Sequence, residues 1–138
     1  MNEYLLGFLA VALVVALLLF FFVAKFARKA PGLNKAHYED QWLRIERLAA
    51  GSQGEVHLAV LEADKLLDHA LKARGFGGQT MGDRLKRARN SFRNNNGVWQ
   101  AHKLRNRLAH ESGITIGSGE VSSALAGFKA GLRDLGAL

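Results

Sequence analysis

Val98-Trp99-Gln100-Ala101-His102-Lys103-Leu104-Arg105-Asn106-Arg107-Leu108-Ala109-His110-Glu111 is the stretch from which the rest of the chain is read. Val98, Ala101, Leu104, Leu108 and Ala109 recur at helical spacing and form one apolar side when projected at about 100° per residue. Arg105 falls inside that apolar arc, while His102, Asn106 and His110 climb its edge at i, i+4 and i+8. Trp99 closes the lower end of this ladder. An arginine forced among apolar residues needs a partner or a ligand, because burying an unpaired charge is costly. The segment therefore reads as one helix of a packed helical domain, and as the centre of its chemistry.

Outward from it the helical period repeats. A helix is expected over about 35–50, with Glu39 and Asp40 in its early turns and a stop at Gly51. Ser52-Gln53-Gly54-Glu55 is a capping box, in which serine accepts from the helix start and glutamate reaches back. The helix it opens runs to about Arg74 on Val56, Ala59, Val60, Ala63, Leu66, Leu67, Ala70 and Leu71, and Gly75-Phe76-Gly77-Gly78 ends it. Thr80 with Asp83 starts a third helix, whose narrow stripe is Met81, Leu85, Ala88 and Phe92, with Arg84, Lys86, Arg87 and Arg89 on the other faces. Asn94-Asn95-Asn96-Gly97 reads as a turn. The opening stretch forms the fourth helix, Ile114-Thr115-Ile116 an extended connector, and Ser118 caps a fifth that Gly136 stops. No strand alternation and no repeat interrupts this pattern. The expected fold is all-α: an antiparallel bundle of about five helices over 38–138. Leu58 and Leu61 lie off the main stripe of the second helix. They are singly exposed leucines, or that helix is covered on a second side by another helix or subunit.

Residues 1–24 are of another kind. Tyr4 to Ala24 carries no charge and no polar face, and as a helix it spans roughly 31 Å, enough for a bilayer core. A transmembrane anchor is expected there, followed by a basic juxtamembrane linker over 25–37 in which Pro31-Gly32 breaks the helix. Only Asn2 and Glu3 precede the span, whereas Lys25, Arg28, Lys29 and Lys35 follow it. That asymmetry predicts an N-terminus outside and a cytoplasmic C-terminal domain in a single-pass cell-membrane protein. The rival, a cleaved signal peptide, needs a basic start and a shorter apolar stretch. The absence of cysteine accords with a reducing compartment.

The net charge of +7 is unevenly spread. Residues 39–68 hold seven acids and three bases, whereas 72–107 hold ten bases and one acid, so one half can attract a polyanion. Nucleic acid is one such partner. Anionic lipid at Lys25, Arg28 and Lys29 is another. His102 and His110 stand about 12 Å apart along a helix, too far to share an ion, so no metal site is read. Neither a nucleophile elbow nor a phosphate-binding glycine loop occurs, and no cofactor is implied. His, Arg and Asn beside a basic region suit metal-free phosphodiester chemistry on RNA, where the 2′-hydroxyl is an internal nucleophile.

Arg105-Asn106-Arg107-Leu108-Ala109-His110 resembles the R-N-x-x-x-H signature of the HEPN superfamily, carried on a late helix of an all-helical bundle of about this size. The resemblance covers 38–138. It implies that Arg105 stabilises the scissile phosphate, that Asn106 orients the site and that His110 transfers protons. Catalytic members are metal-independent endoribonucleases leaving a 2′,3′-cyclic phosphate, and they act as homodimers with two motifs facing one cleft. Some members continue the motif to H-x-Y; here that position is Ser112. Arg84, Arg87, Arg89, Lys103, Arg107 and His102 are candidate RNA contacts, and Glu62 or Asp64 is the expected ion-pair partner of Arg105. The alternative for His110 is a helix-terminal histidine favoured by the dipole, and for the basic third helix a solvated face. Two functions remain: a membrane-tethered ribonuclease active in stress or phage defence, or a non-catalytic dimerising module that binds RNA, nucleotide or a protein.

Overall fold

The computed structural model describes residues 2–26 and 32–138, which are helical and contain no strand. The helices are α1 (Asn2–Phe26), α2 (Lys35–Ala49), α3 (Gln53–Ala73), α4 (Met81–Ala88), α5 (Asn95–His110) and α6 (Ser118–Asp134), with a 3-10 turn at Arg89–Ser91. The chain divides into two compact units, Met1–Ala30 and Pro31–Leu138.

In the first unit α1 is long and apolar enough to cross a membrane, over the 20 residues Tyr4–Val23, none of which is buried. Twenty residues at helical rise span about 30 Å. Arg28, Lys29 and Pro31 lie outside the described residues, as does the side chain of Lys25.

In the second unit α3 is the central element. Ala59, Val60, Ala63, Leu67, Ala70 and Leu71 are fully buried, and α2, α4, α5 and α6 all pack on this helix. Alanines at three of those positions let neighbours approach closely on more than one side. Leu61 is half-buried, and Leu58 stays 43% exposed, so its own side of α3 is left partly open. Residue pairings fix the directions. The start of α2 meets the end of α3 through Tyr38 Oη and His69 Nδ1 at 2.8 Å, so these helices are antiparallel across their short turn. Burial raises the Tyr38 hydroxyl above its ordinary value of 10.0. On the other side α5 and α6 are antiparallel, with Gly97 beside Gly127 at one end and Arg107 bonded to Glu120 at 3.0 Å at the other. A Cβ on Gly127 would lie 2.6 Å from the Gly97 carbonyl oxygen, so only glycine permits this crossing.

The helix ends follow from local chemistry. Ser52 and Glu55 close the expected capping box, as do Thr80 and Asp83. The hydrogen bonds from the Ser52 backbone and hydroxyl hold the Glu55 carboxyl below its ordinary value, and those of Thr80 do the same for Asp83. Gly75 (φ 85°) and Gly136 (φ 76°) terminate α3 and α6. In each case the next amide reaches back as a Schellman motif: Phe76 N to Leu71 O at 3.0 Å, Ala137 N to Leu132 O at 2.9 Å.

Two expected boundaries differ. The Asn94–Gly97 run is not a turn: Asn94 alone is the N-cap, its side chain accepting from Gly97 N at 2.9 Å, and residues 95–97 are already helical. One satisfied amide is enough to let helix replace turn. Ser118 is the first residue of α6 rather than its cap, which is Gly117.

Candidate functional site

The polar edge of α5 meets α3 in a closed ring of four side chains. Asp64, on the buried face of α3 and 4% exposed, accepts a hydrogen bond from His102 at 2.7 Å from Nδ1 to Oδ1. Its other oxygen lies 3.3 Å from Arg105 Nε. That contact is an ion pair without hydrogen-bond alignment, since the Nε–H has no bonded acceptor. Arg105 Nη1 donates to Asn106 Oδ1 at 3.1 Å, and Asn106 Nδ2 faces His102 Nε2 at 3.3 Å.

The ring sets the proton positions. Because the Asn106 oxygen is taken by the arginine, its amide nitrogen must face His102, and Nε2 must accept. In the neutral imidazole the proton then lies on Nδ1, which donates to Asp64. Trp99 packs edge-on against the ring of His102 with centroids 6.1 Å apart. Arg105 therefore finds its partner in Asp64, one of the two acids expected from the sequence. The other, Glu62, turns instead to Lys65 at 3.7 Å.

These side chains line an open groove of about 980 Å³ between α3, α4 and α5, together with Asp68, Gln79, Thr80 and Arg84. One turn along α3 from Asp64, Asp68 binds Arg84 at 2.6 Å and Lys72 at 2.7 Å. Burial pushes the Asp68 carboxyl up, but the hydrogen bonds from Arg84 and Lys72 outweigh it and hold the group below 3.8. Arg84 also donates to Gly78 O at 2.6 Å and is 6% exposed. The sequence reading set Arg84 on an outer face of α4; the structure buries it, because Asp68 and the Gly78 carbonyl supply acceptors that an isolated helical projection cannot show.

The remaining expected residues do not share this place. His110 is exposed at the last position of α5 and does not line the groove. Ala109, expected on the apolar side, is also exposed. Lys103 and Arg107 face a second groove, between α5 and α6, where Arg107 pairs with Glu120. Arg87 and Arg89 are exposed on α4 and the turn after it. Asp68 was missed as a partner; its signal is the i, i+4 spacing from Asp64 on a face otherwise filled by alanine and leucine. Among the described residues no three His, Asp or Glu side chains converge as metal ligands would.

Comparison of the chain with family models, with curated proteins and with solved structures gives no match.

Proposed function

We propose that this protein is a membrane-tethered, HEPN-like endoribonuclease that acts without metal at the cytoplasmic face. The observation that carries the reading is the anchored Arg105–Asn106 pair at the edge of an open groove. Asp64 holds one side of the guanidinium, leaving Arg105 about a third exposed with Nη2 free of any internal partner. A cation tethered by Asp64 and Asn106 beside an open groove suits an electron-rich phosphorane better than a freely rotating surface arginine, because less reorganisation is needed as charge develops. Asn106 fixes the orientation of that cation. His110, exposed on the same helix, would move protons at a site formed by two apposed chains, since Arg105 and His110 project about 140° apart on one α5. The basic residues Arg87, Arg89, Lys103 and Arg107 would attract the RNA strand. Lys25, Arg28 and Lys29 would meet anionic lipid beyond α1, with the N-terminus outside.

The deciding assay uses the full chain in detergent micelles with single-stranded RNA in EDTA. Cleavage to 2′,3′-cyclic phosphate ends is expected, with loss in Arg105→Ala and His110→Ala. Cleavage unchanged in both variants would refute the assignment. RNA binding without cleavage by a dimeric wild type would favour the second reading, a non-catalytic module, which the exposure of His110 outside the groove supports.

A further inference from the structure

Cleavage of an RNA phosphodiester by its own 2′-hydroxyl needs two proton transfers, one away from the attacking oxygen and one to the departing 5′-oxygen. His110 can serve only one of them at a time. We propose that His102, oriented by Asp64, is the base for the 2′-hydroxyl, an assignment that rests on the ribonuclease reading above. Three observations carry it. First, the imidazole presents the correct nitrogen: Asp64 accepts from Nδ1 at 2.7 Å, which leaves the lone pair on Nε2. Second, His102 lines the same groove as Arg105 and Asn106, whereas His110 does not. Third, among the described residues the only partner of Nε2 is the Asn106 amide at 3.3 Å. That is long for a hydrogen bond between nitrogens, and although the His102 side chain is only 10% exposed, displacing this contact would open Nε2 to an incoming hydroxyl.

Asp64 also touches Arg105, so one buried carboxylate fixes the base and the phosphate-binding cation relative to each other. The ionisable groups around His102 in the groove are Glu62, Asp64, Lys65 and Asp68 of α3, Arg84 of α4 and Arg105 of α5. In the step, Nε2 takes the 2′-hydroxyl proton and the 2′-oxygen forms a bond to phosphorus. The bond from phosphorus to the 5′-oxygen breaks, and that oxygen leaves with its electron pair and a proton from the His110 imidazolium of the apposed chain. Arg105 meets the charge on the non-bridging oxygens throughout. Asp64 is a positioning residue: it keeps the proton on Nδ1 and does not itself give one up.

The test uses the full chain in detergent micelles with two substrates, single-stranded RNA and a uridine 3′-(4-nitrophenyl) phosphodiester, whose leaving group departs without a proton. His102→Asn retains a donor near the Nδ1 position but cannot accept a proton. Its kcat should fall on both substrates by about 10²–10⁴, with Kd for an uncleavable 2′-deoxy strand unchanged. Imidazole should restore part of the activity of His102→Ala; if that variant does not fold, His102→Asn alone decides. His110→Ala should lose more activity on RNA than on the nitrophenyl ester, whose leaving group needs no acid. Activity of His102→Asn within about threefold of wild type overturns the assignment. So does a parallel loss of Kd and kcat, which marks His102 as structural only. If wild type cleaves neither substrate, the ribonuclease reading itself fails and His102 has no reaction to serve.

Discussion

Truncating Asp64 to alanine should destabilise the second unit well beyond the loss of a more exposed charge of the same helix such as Glu62. The carboxylate is 4% exposed and receives His102 at 2.7 Å and Arg105 at 3.3 Å. Removing it leaves the buried Nδ1–H of His102 without an acceptor, at a cost of about 1–3 kcal/mol. The Arg105 ion pair adds only ~0–1 kcal/mol, because the guanidinium is about a third exposed and can turn toward water. The sum is about 1–4 kcal/mol. Asp64→Asn keeps an oxygen for His102 and should cost about half as much. Glu62→Ala, which removes only an exposed pair with Lys65, should change stability by less than about 0.5 kcal/mol. Urea unfolding of the full chain can be followed through Trp42 and Trp99, the two tryptophans, both of which lie outside α1. With a slope of about 1.5–2 kcal/mol per molar, Asp64→Ala should lower the midpoint by roughly 0.5–2.5 M. A midpoint no lower than that of Glu62→Ala would refute the claim that the ring is anchored on Asp64.

The α5–α6 crossing makes opposite predictions for two glycines of one helix. Gly127→Ala should destabilise by about 1–2 kcal/mol despite the better helix propensity of alanine, because its Cβ would meet the Gly97 carbonyl at 2.6 Å. Gly119→Ala has open space around it and should stabilise by roughly 0.5–1 kcal/mol. Thermal melts of the two variants falling on the same side of wild type would contradict this packing. Asp68 links stability to acid. Its carboxyl is held below 3.8 when folded, so its contribution is present above the unfolded value and disappears as pH falls through the folded one. The stability gap between wild type and Asp68→Asn should therefore be constant from pH 7 to about 5 and close below about pH 4; a gap that persists at low pH would show that the Arg84 pair does not hold this proton. Finally, a reporter fused after Leu138 should read cytoplasmic, and an exported signal would reverse the orientation drawn from Lys25, Arg28 and Lys29.

Much of the fold is legible because local chemistry and period agree. Ser52 with Glu55, Thr80 with Asp83, and the glycines at 75 and 136 each announce a helix end by satisfying backbone groups within a few residues, and the structure places the ends there. Asn94–Gly97 misleads because an asparagine run carries both turn and cap chemistry, and only the direction of one side chain decides between them. The candidate site is legible in part. Arg105 is conspicuous among apolar neighbours, and the acids of α3 are the natural place to look for its partner. The choice of Asp64 over Glu62 is a matter of which face of α3 meets α5. Arg84 is the clearest loss: on an eight-residue helix crowded with bases, nothing local distinguishes the one cation that Asp68 draws inward. The different surroundings of His102 and His110 are likewise tertiary, since both stand on the same ladder and only His102 lines the groove.

The contact of Gly97 with Gly127 has a mechanical consequence for the distant end of α5. With backbones this close, any rotation of α5 against α6 would be centred on the contact. Arg105 stands eight residues further along, about 12 Å from it. A rotation of only 5° would swing the guanidinium by about 1 Å, a misplacement large enough to impair the proposed chemistry. The fulcrum for that lever is a pair of residues with no side chain at all.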